Sequence, residues 1–205
     1  MKLRGAEPMP QEANTETAIA TEQTSVKYTP AKSLREEIAE ILHVIGKNDT
    51  SSHTFLLRVV QPGLAGLMDG SVSTLAPIFA TAFVTGNPFS AFLVGMAAAT
   101  GAAISMAFSE ALSDDGVLTG RGSPLIRGII VGVMTFFGGA LHTLPFLIPH
   151  VQTALLAAYI VVAFELLLIS AIRHRYFGIS WIKSVFQVVG SGILVFAAAF
   201  IFGHA

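Results

Sequence analysis

The chain has 205 residues, of which 53% are hydrophobic and 12% are charged, and its mean hydropathy is +0.68. Soluble globular domains carry about 25% charged residues, so this composition excludes an ordinary soluble domain and predicts a membrane protein. The formal net charge of −1 argues against a nucleic-acid partner, which would require a basic surface. The sequence contains no cysteine, which excludes disulfides and thiolate chemistry.

The N-terminal region divides into two parts. Residues 1–32 are polar and poor in aromatic side chains, which predicts a disordered tail. The sequence SLREEIAEILHVI then repeats apolar residues at helical spacing, and we predict an amphipathic helix over residues 33–46. Ser33 and Glu36 have the spacing of a capping box at its start. The helix is too short and too charged to span a bilayer, so we expect it in the cytoplasm or at the membrane interface.

Five apolar segments follow, and each has the roughly 20 residues that a membrane-spanning helix needs. They cover residues 56–84, 88–111, 125–148, 152–172 and 180–203. The predicted fold class is therefore an all-α polytopic membrane protein with a five-helix transporter domain over residues 56–203. Lys and Arg are concentrated before the first segment and in the 113–124 and 173–180 connections. By the positive-inside rule, the N-terminus is cytoplasmic and the C-terminus lies on the opposite side.

Small residues recur at spacings of three and four in the first apolar segment. They are Gly63, Gly66, Gly70 and Ser73. Such a stripe allows two helix backbones to approach closely, and we interpret it as a helix-packing or dimer seam.

One carboxylate, Asp69, lies about half-way through the first apolar segment. A carboxylate at the bilayer centre costs roughly 2.5–3.5 kcal/mol on insertion scales, so such residues face a partner or a cavity and usually have a function. Asp69 therefore becomes the first candidate for a metal or proton site, with Met68 beside it.

The second segment ends with Met106 and Glu110, one helical turn apart on the same face. Carboxylate oxygen combined with thioether sulfur suits a divalent metal such as Fe²⁺ or Mn²⁺ better than Na⁺ or K⁺. Two further polar residues, His142 and Glu165, lie in later segments and are candidates for proton or polar coupling. The chain has no HExxH, P-loop, GxSxG or GxGxxG motif at a useful position, so we expect no enzyme.

Two stretches resemble the vacuolar iron transporter family. LMDGSVSTLAPIFATAF is similar to that family's first-helix signature, and AAISMAFSEALSDDG is similar to its second-helix motif. The resemblance extends over about residues 56–203 and is greatest to the transporter half of bacterial membrane-bound ferritins. It implies five spans, a homodimer in a lipid bilayer, such as the bacterial inner membrane, and export of Fe²⁺ or Mn²⁺ from the cytosol in exchange for protons. The metal would be a substrate, with no permanently bound cofactor.

The resemblance also implies roles for individual residues. Asp69 would be the transmembrane metal or proton carboxylate, Met106 a soft ligand, and Glu110 the acid that meets metal at the cytoplasmic side. The chain departs from the family by lacking a long glutamate-rich insert between the second and third helices. Cytosolic capture would then fall to Asp114, Asp115 and the acidic helix 33–46, or to a cytosolic iron-storage or iron-delivery protein. Two alternatives stay open, namely a non-transporting membrane anchor or assembly module, and a transporter of another cation.

Overall fold

A computed structural model of the chain describes residues 33–46, 53–113, 115–116 and 119–203. The predicted tail over residues 1–32 lies outside these ranges, as does Asp114. The first described element is the N-terminal helix, Leu34–Gly46. The backbone N–H of Ser33 donates to Glu36 Oε2 at 3.1 Å, and the N–H of Glu36 donates to Ser33 Oγ at 3.3 Å. This reciprocal pair is a capping box, and it fixes where the helix begins.

Five further helices are long and apolar enough to cross a membrane, which confirms the predicted number of spans. We call them span 1 to span 5, and they are His53–Thr85, Pro88–Ala111, Pro124–Leu141, Val151–Phe177 and Trp181–Gly203. Spans 2 and 3 both begin with proline at the first helical position, where the missing N–H costs nothing. The described residues contain no β-strand. The protein is therefore an all-α, multi-pass integral membrane protein.

Span 3 ends at Leu141, earlier than the predicted segment end at residue 148. Pro145 cannot donate a backbone hydrogen bond to the Leu141 carbonyl, and proline disfavours helical geometry in the residue before it. The chain therefore leaves the helix at His142 and forms a 3₁₀ turn over Leu144–Leu147. The apolar sequence alone concealed this end, because the turn residues are as hydrophobic as the helix.

Span 1 is interrupted at Thr74. It starts with a short helical turn and a π-helical stretch, Leu56–Val60, and continues as two α-helical halves, Gln61–Ser73 and Leu75–Thr85. Pro77 explains the interruption, because it lacks the N–H that would bond to the Ser73 carbonyl. The break lies just after Asp69, in the middle of the span.

The halves of span 1 pack against different helices. The first half packs mainly on span 3, which also packs along span 2, whereas the second half packs mainly on span 5 and span 2. Gly66 and Gly70 make the first contact possible, because a Cβ on either would collide with the backbone of Val131 or Thr135 in span 3. The second half instead contributes to an aromatic core with Phe79 at its centre. The rings around Phe79 belong to Phe83, Phe146, Tyr159 and Phe196.

Candidate functional site

Asp69 is equally far in sequence from the two ends of span 1. It is half-buried and lies on a different side of the helix from the buried Gly66 and Gly70, whereas Ala65 and Ser73, one turn before and after it, are exposed. The Ser73 hydroxyl donates to the Asp69 backbone carbonyl at 2.6 Å. Within the described ranges, no side chain forms a hydrogen bond or ion pair with the Asp69 carboxylate. The carboxylate in the middle of span 1 therefore has no described partner within one copy of the chain.

The other predicted metal ligands lie apart from any closed metal cage. Met68 packs against an apolar cluster that includes Leu67 and Leu166. Met106 is half-buried on span 2, one turn before Glu110. Across the part of the chain that the structure describes, no group of three or more His, Cys, Asp or Glu side chains is placed to hold a metal ion. The metal roles of Asp69, Met68, Met106 and Glu110 stay predictions.

Glu110 lies in an arginine cluster, which we define as Glu110, Arg121 and Arg127. Its Oε1 accepts hydrogen bonds from Arg121 Nη2 at 2.7 Å and from Arg127 Nε at 2.8 Å. The Arg127 residue is 0% exposed, and its Nη1 donates to the Gly122 carbonyl at 2.8 Å. Gly122 has a φ of +75°, a conformation that suits glycine, so the connection can fold back over the arginine.

The arginine cluster changes what Glu110 can do. Arginine stays protonated in proteins, so Glu110 is held as an anion already neutralised by two cations. Both arginines bond to Oε1, so a metal ion at this carboxylate would share it with two cations. From the sequence, Lys and Arg were interpreted only as indicators of orientation, so this pairing was not predicted. The available signal was Arg127 itself, a cation placed one turn inside an apolar helix.

The N-terminal helix is joined to the same end of the bundle. Glu37 is 5% exposed, and its Oε1 accepts a hydrogen bond from the backbone N–H of Ser123, at the start of span 3. Arg58 donates to Glu40 at 3.1 Å and lies 3.9 Å from Glu37. Asp115 is exposed, as a capture residue would be, whereas Asp114 lies outside the described residues. The acidic helix thus uses two carboxylates for docking.

A second polar cluster lies inside the bundle. We call Thr74, His142 and Glu165 the histidine cluster. The Thr74 Oγ1 is 2.8 Å from His142 Nε2, and His142 Nδ1 is 2.9 Å from Glu165 Oε2. None of the three residues is more than 1% exposed. The structure therefore joins the two candidates for proton or polar coupling directly, and it adds Thr74, which the sequence analysis did not select.

The predicted small-residue seam contributes to packing within the chain. Gly66 and Gly70 face span 3. A Cβ added to Gly63 would lie 3.6 Å from Ile130 Cγ2, which is ordinary van der Waals contact. Ser73 is exposed. A separate stripe of exposed small residues runs along span 2 at a spacing of four, and its members are Ala97, Gly101, Ser105 and Ser109.

Comparison with known proteins gives one match. A model of the VIT family matches residues 111–204, which include spans 3 to 5 and both His142 and Glu165. The match begins after Asp69, Met106 and Glu110, so those roles depend on the motif resemblance of the first two spans. No curated protein and no solved structure matches the chain.

Proposed function

We propose that the chain, whose residues 111–204 match the VIT family of membrane metal-ion transporters, exports Fe²⁺ or Mn²⁺ from the cytosol in exchange for protons. The observation that carries this proposal is Asp69, a carboxylate at the centre of span 1 with no partner in the described chain. A membrane acid of this kind needs either a cation or a second polar surface. A transported metal ion would supply the cation.

The working unit is a homodimer. Ala65, Asp69 and Ser73 share the outward side of span 1, and span 2 exposes its own stripe of small residues. Exposed small residues at a spacing of four are typical of membrane helix interfaces, because they allow close backbone approach. A second copy meeting these surfaces would enclose Asp69 and remove it from lipid. It would also bring a second set of carboxylate and thioether groups towards the metal path.

The charge distribution supports the direction of transport. Lys and Arg lie before and at the start of span 1, at and just after the connection between spans 2 and 3, and at the adjoining ends of spans 4 and 5. These positions belong to the cytoplasmic side, so five spans place the C-terminus on the far side. Metal would arrive at the end that carries Asp114, Asp115 and the arginine cluster, delivered freely or by an iron-storage or iron-delivery protein. It would then pass to Asp69, with Met68 and Met106 as soft ligands.

Metal flux into proteoliposomes tests this function. We expect uptake of Fe²⁺ and Mn²⁺ that is stimulated by an imposed pH gradient, and Asp69→Asn should reduce the flux to that of empty vesicles. Ser170→Ala is the control, because it removes a buried polar group of span 4 that lies outside the proposed metal path. Co²⁺, Zn²⁺ and Mg²⁺ added as competitors would define selectivity.

The result also separates the alternatives. If the wild-type protein carries no metal and Asp69→Asn changes only dimer formation, the protein is an anchor or assembly module. Flux that Mg²⁺ inhibits as well as Mn²⁺ does would indicate a transporter of another cation, since a thioether-containing site discriminates against Mg²⁺.

A further inference from the structure

The histidine cluster joins three spans deep inside the bundle. Thr74 lies at the break of span 1, His142 follows the last residue of span 3, and Glu165 lies within span 4. All three side chains are buried, although Glu165 and His142 are ionisable. Helix packing alone would be served by apolar residues of the same size, so the ionisable pair calls for its own explanation.

The hydroxyl of Thr74 determines the protonation of one histidine nitrogen. Thr74 Oγ1 donates its single proton to the Gly70 carbonyl at 2.7 Å. It can therefore only accept at its 2.8 Å contact with His142, so Nε2 carries a proton and donates it.

The other nitrogen then shares a proton with the carboxylate. With Nε2 protonated, Nδ1 either accepts a proton from a neutral Glu165 or belongs to an imidazolium that donates to an ionised Glu165. Both descriptions place one proton on the 2.9 Å line between Nδ1 and Oε2, and both leave the pair with no net charge.

One carboxylate oxygen of Glu165 takes no part in the histidine cluster. Its Oε1 is buried and has no hydrogen-bond partner. An unpartnered buried oxygen is costly, and here it points to a group that is only transiently satisfied. A proton or a water molecule that enters the cluster has this atom as its acceptor.

Other ionisable groups in the spans do not bond to the pair. The described interactions of His142 and Glu165 are those with each other and with Thr74. The remaining ionisable side chains of the spans that pack around the cluster are His53, Arg58, Asp69, Glu110, Arg127, Tyr159, Arg173, His174, Arg175, Tyr176 and Lys183. Of these, Asp69 is on the same span as Thr74 and five residues before it, an axial rise of about 7.5 Å in a helix.

We propose that the His142–Glu165 pair is a proton-binding site of the transport cycle, distinct from Asp69, and that Thr74 connects it to the first span. This proposal depends on the proposed metal transport. When the doubly charged metal binds near Asp69, its field favours the deprotonated pair, and the shared proton leaves as H⁺. Neutral His142 keeps its Nε2 proton, and Glu165 remains as a carboxylate. When the metal leaves, a proton returns to the line between Nδ1 and Oε2.

Coupling to the pH gradient is the property that tests the pair. Glu165→Gln and His142→Gln would be reconstituted in proteoliposomes, and Mn²⁺ flux down its own gradient would be measured with and without an imposed pH gradient. We expect both variants to carry Mn²⁺ and to lose the stimulation by the pH gradient. A pH-indicator dye in weakly buffered detergent should also report fewer protons released on Mn²⁺ binding than for the wild type.

Ser170→Ala is the matched control. Ser170 is buried on the same helix as Glu165, and its hydroxyl donates to the Leu166 carbonyl, so the change removes a buried polar group that does not titrate. This variant should keep full stimulation by the pH gradient. Size-exclusion chromatography of each variant would check folding, and Glu165→Gln preserves the shape of the side chain in case His142→Gln fails to fold.

The outcomes distinguish the two proposals. If the wild type carries Mn²⁺ and Glu165→Gln keeps both its pH stimulation and its proton release, the cluster is a packing element and this proposal is overturned. If the wild type carries neither Mn²⁺ nor Fe²⁺, the metal-transport function fails, and this proposal fails with it.

Discussion

Two carboxylates of the same bundle, the half-buried Glu110 and the buried Glu165, have partners of different chemistry. In the arginine cluster, Glu110 is held by Arg121 and Arg127, which remain cations at any pH that the protein meets. In the histidine cluster, Glu165 is held by the imidazole of His142, whose Nδ1 lies 2.9 Å from Glu165 Oε2. The first arrangement holds a carboxylate against permanent cations, whereas the second is the arrangement that we propose to bind and release a proton. An acid in a membrane bundle is therefore understood only through the group that faces it.

The largest expected effect comes from breaking the arginine cluster at its buried member. Arg127→Met removes a fully buried guanidinium and leaves Glu110 with Arg121 alone. Breaking a buried ion pair typically costs about 3–5 kcal/mol, and we expect a loss of free energy of unfolding in this range. Equilibrium unfolding in mixed detergent micelles, followed by circular dichroism, would measure it.

Arg121→Met is the control for that measurement. The Arg121 side chain is 21% exposed, and it bonds to the same carboxylate oxygen. Partly solvated pairs contribute up to about 1 kcal/mol, so this variant should lose much less stability. Equal losses for the two arginines would contradict the assignment of Arg127 as the buried anchor.

A smaller loss of stability is expected from a substitution at the contact of span 1 with span 3, which supports the histidine cluster. Gly70→Ala would place a Cβ against the Thr135 carbonyl and push span 1 away from span 3. Overpacking of this kind costs about 1–3 kcal/mol, and it should lengthen the contact between Thr74 and His142. Unfolding in mixed micelles gives the stability, and loss of pH-stimulated Mn²⁺ flux would report on the cluster.

Gly63→Ala provides the comparison for Gly70→Ala. It lies on the same helix, but an added Cβ would be 3.6 Å from its nearest neighbour, which is ordinary contact. This change should be neutral or slightly stabilising, since alanine favours helix. Similar losses for both glycines would show that close approach to span 3 is unimportant.

The smallest effect concerns the N-terminal helix beside the arginine cluster. Glu37→Gln keeps an oxygen that can accept from the Ser123 N–H but removes the charge opposite Arg58. We expect a loss of about 1 kcal/mol or less in the docking of this helix, seen as faster amide hydrogen exchange over Leu34–Gly46. Glu36→Gln should leave exchange unchanged, because glutamine can still complete the capping box. Faster exchange in both variants would point to fraying of the helix rather than undocking.

The sequence was sufficient to predict the five spans and the capping box, because both depend on neighbouring residues. Hydropathy needs only a window of about 20 residues, and the capping box needs Ser33 and Glu36 at the correct spacing. The central position of Asp69 also follows from counting along one helix. Each of these features depends only on residues that are close together in the sequence.

The side-chain partners could not be predicted from the sequence, because they lie on different helices. Arg127 meets Glu110 across a connection between two spans, and His142 meets Thr74 and Glu165 from two further helices. Which faces meet depends on glycine contacts such as that of Gly70 with span 3, which no single helix reveals. The sequence analysis therefore selected His142 and Glu165 separately, and it left their pairing to the structure.

Because span 1 is interrupted at Thr74, its two halves pack against different helices. Gln61–Ser73 packs mainly on span 3, whereas Leu75–Thr85 packs mainly on span 5 and span 2. A break of this kind serves as a hinge, since it concentrates a change of direction in one or two residues. If Asp69 binds the cation and the histidine cluster binds the proton, as proposed above, a change of direction at Thr74 would alter the separation of the two sites. Pro77, which lacks the N–H that would bond to the Ser73 carbonyl, is the local reason that the helix can change direction there.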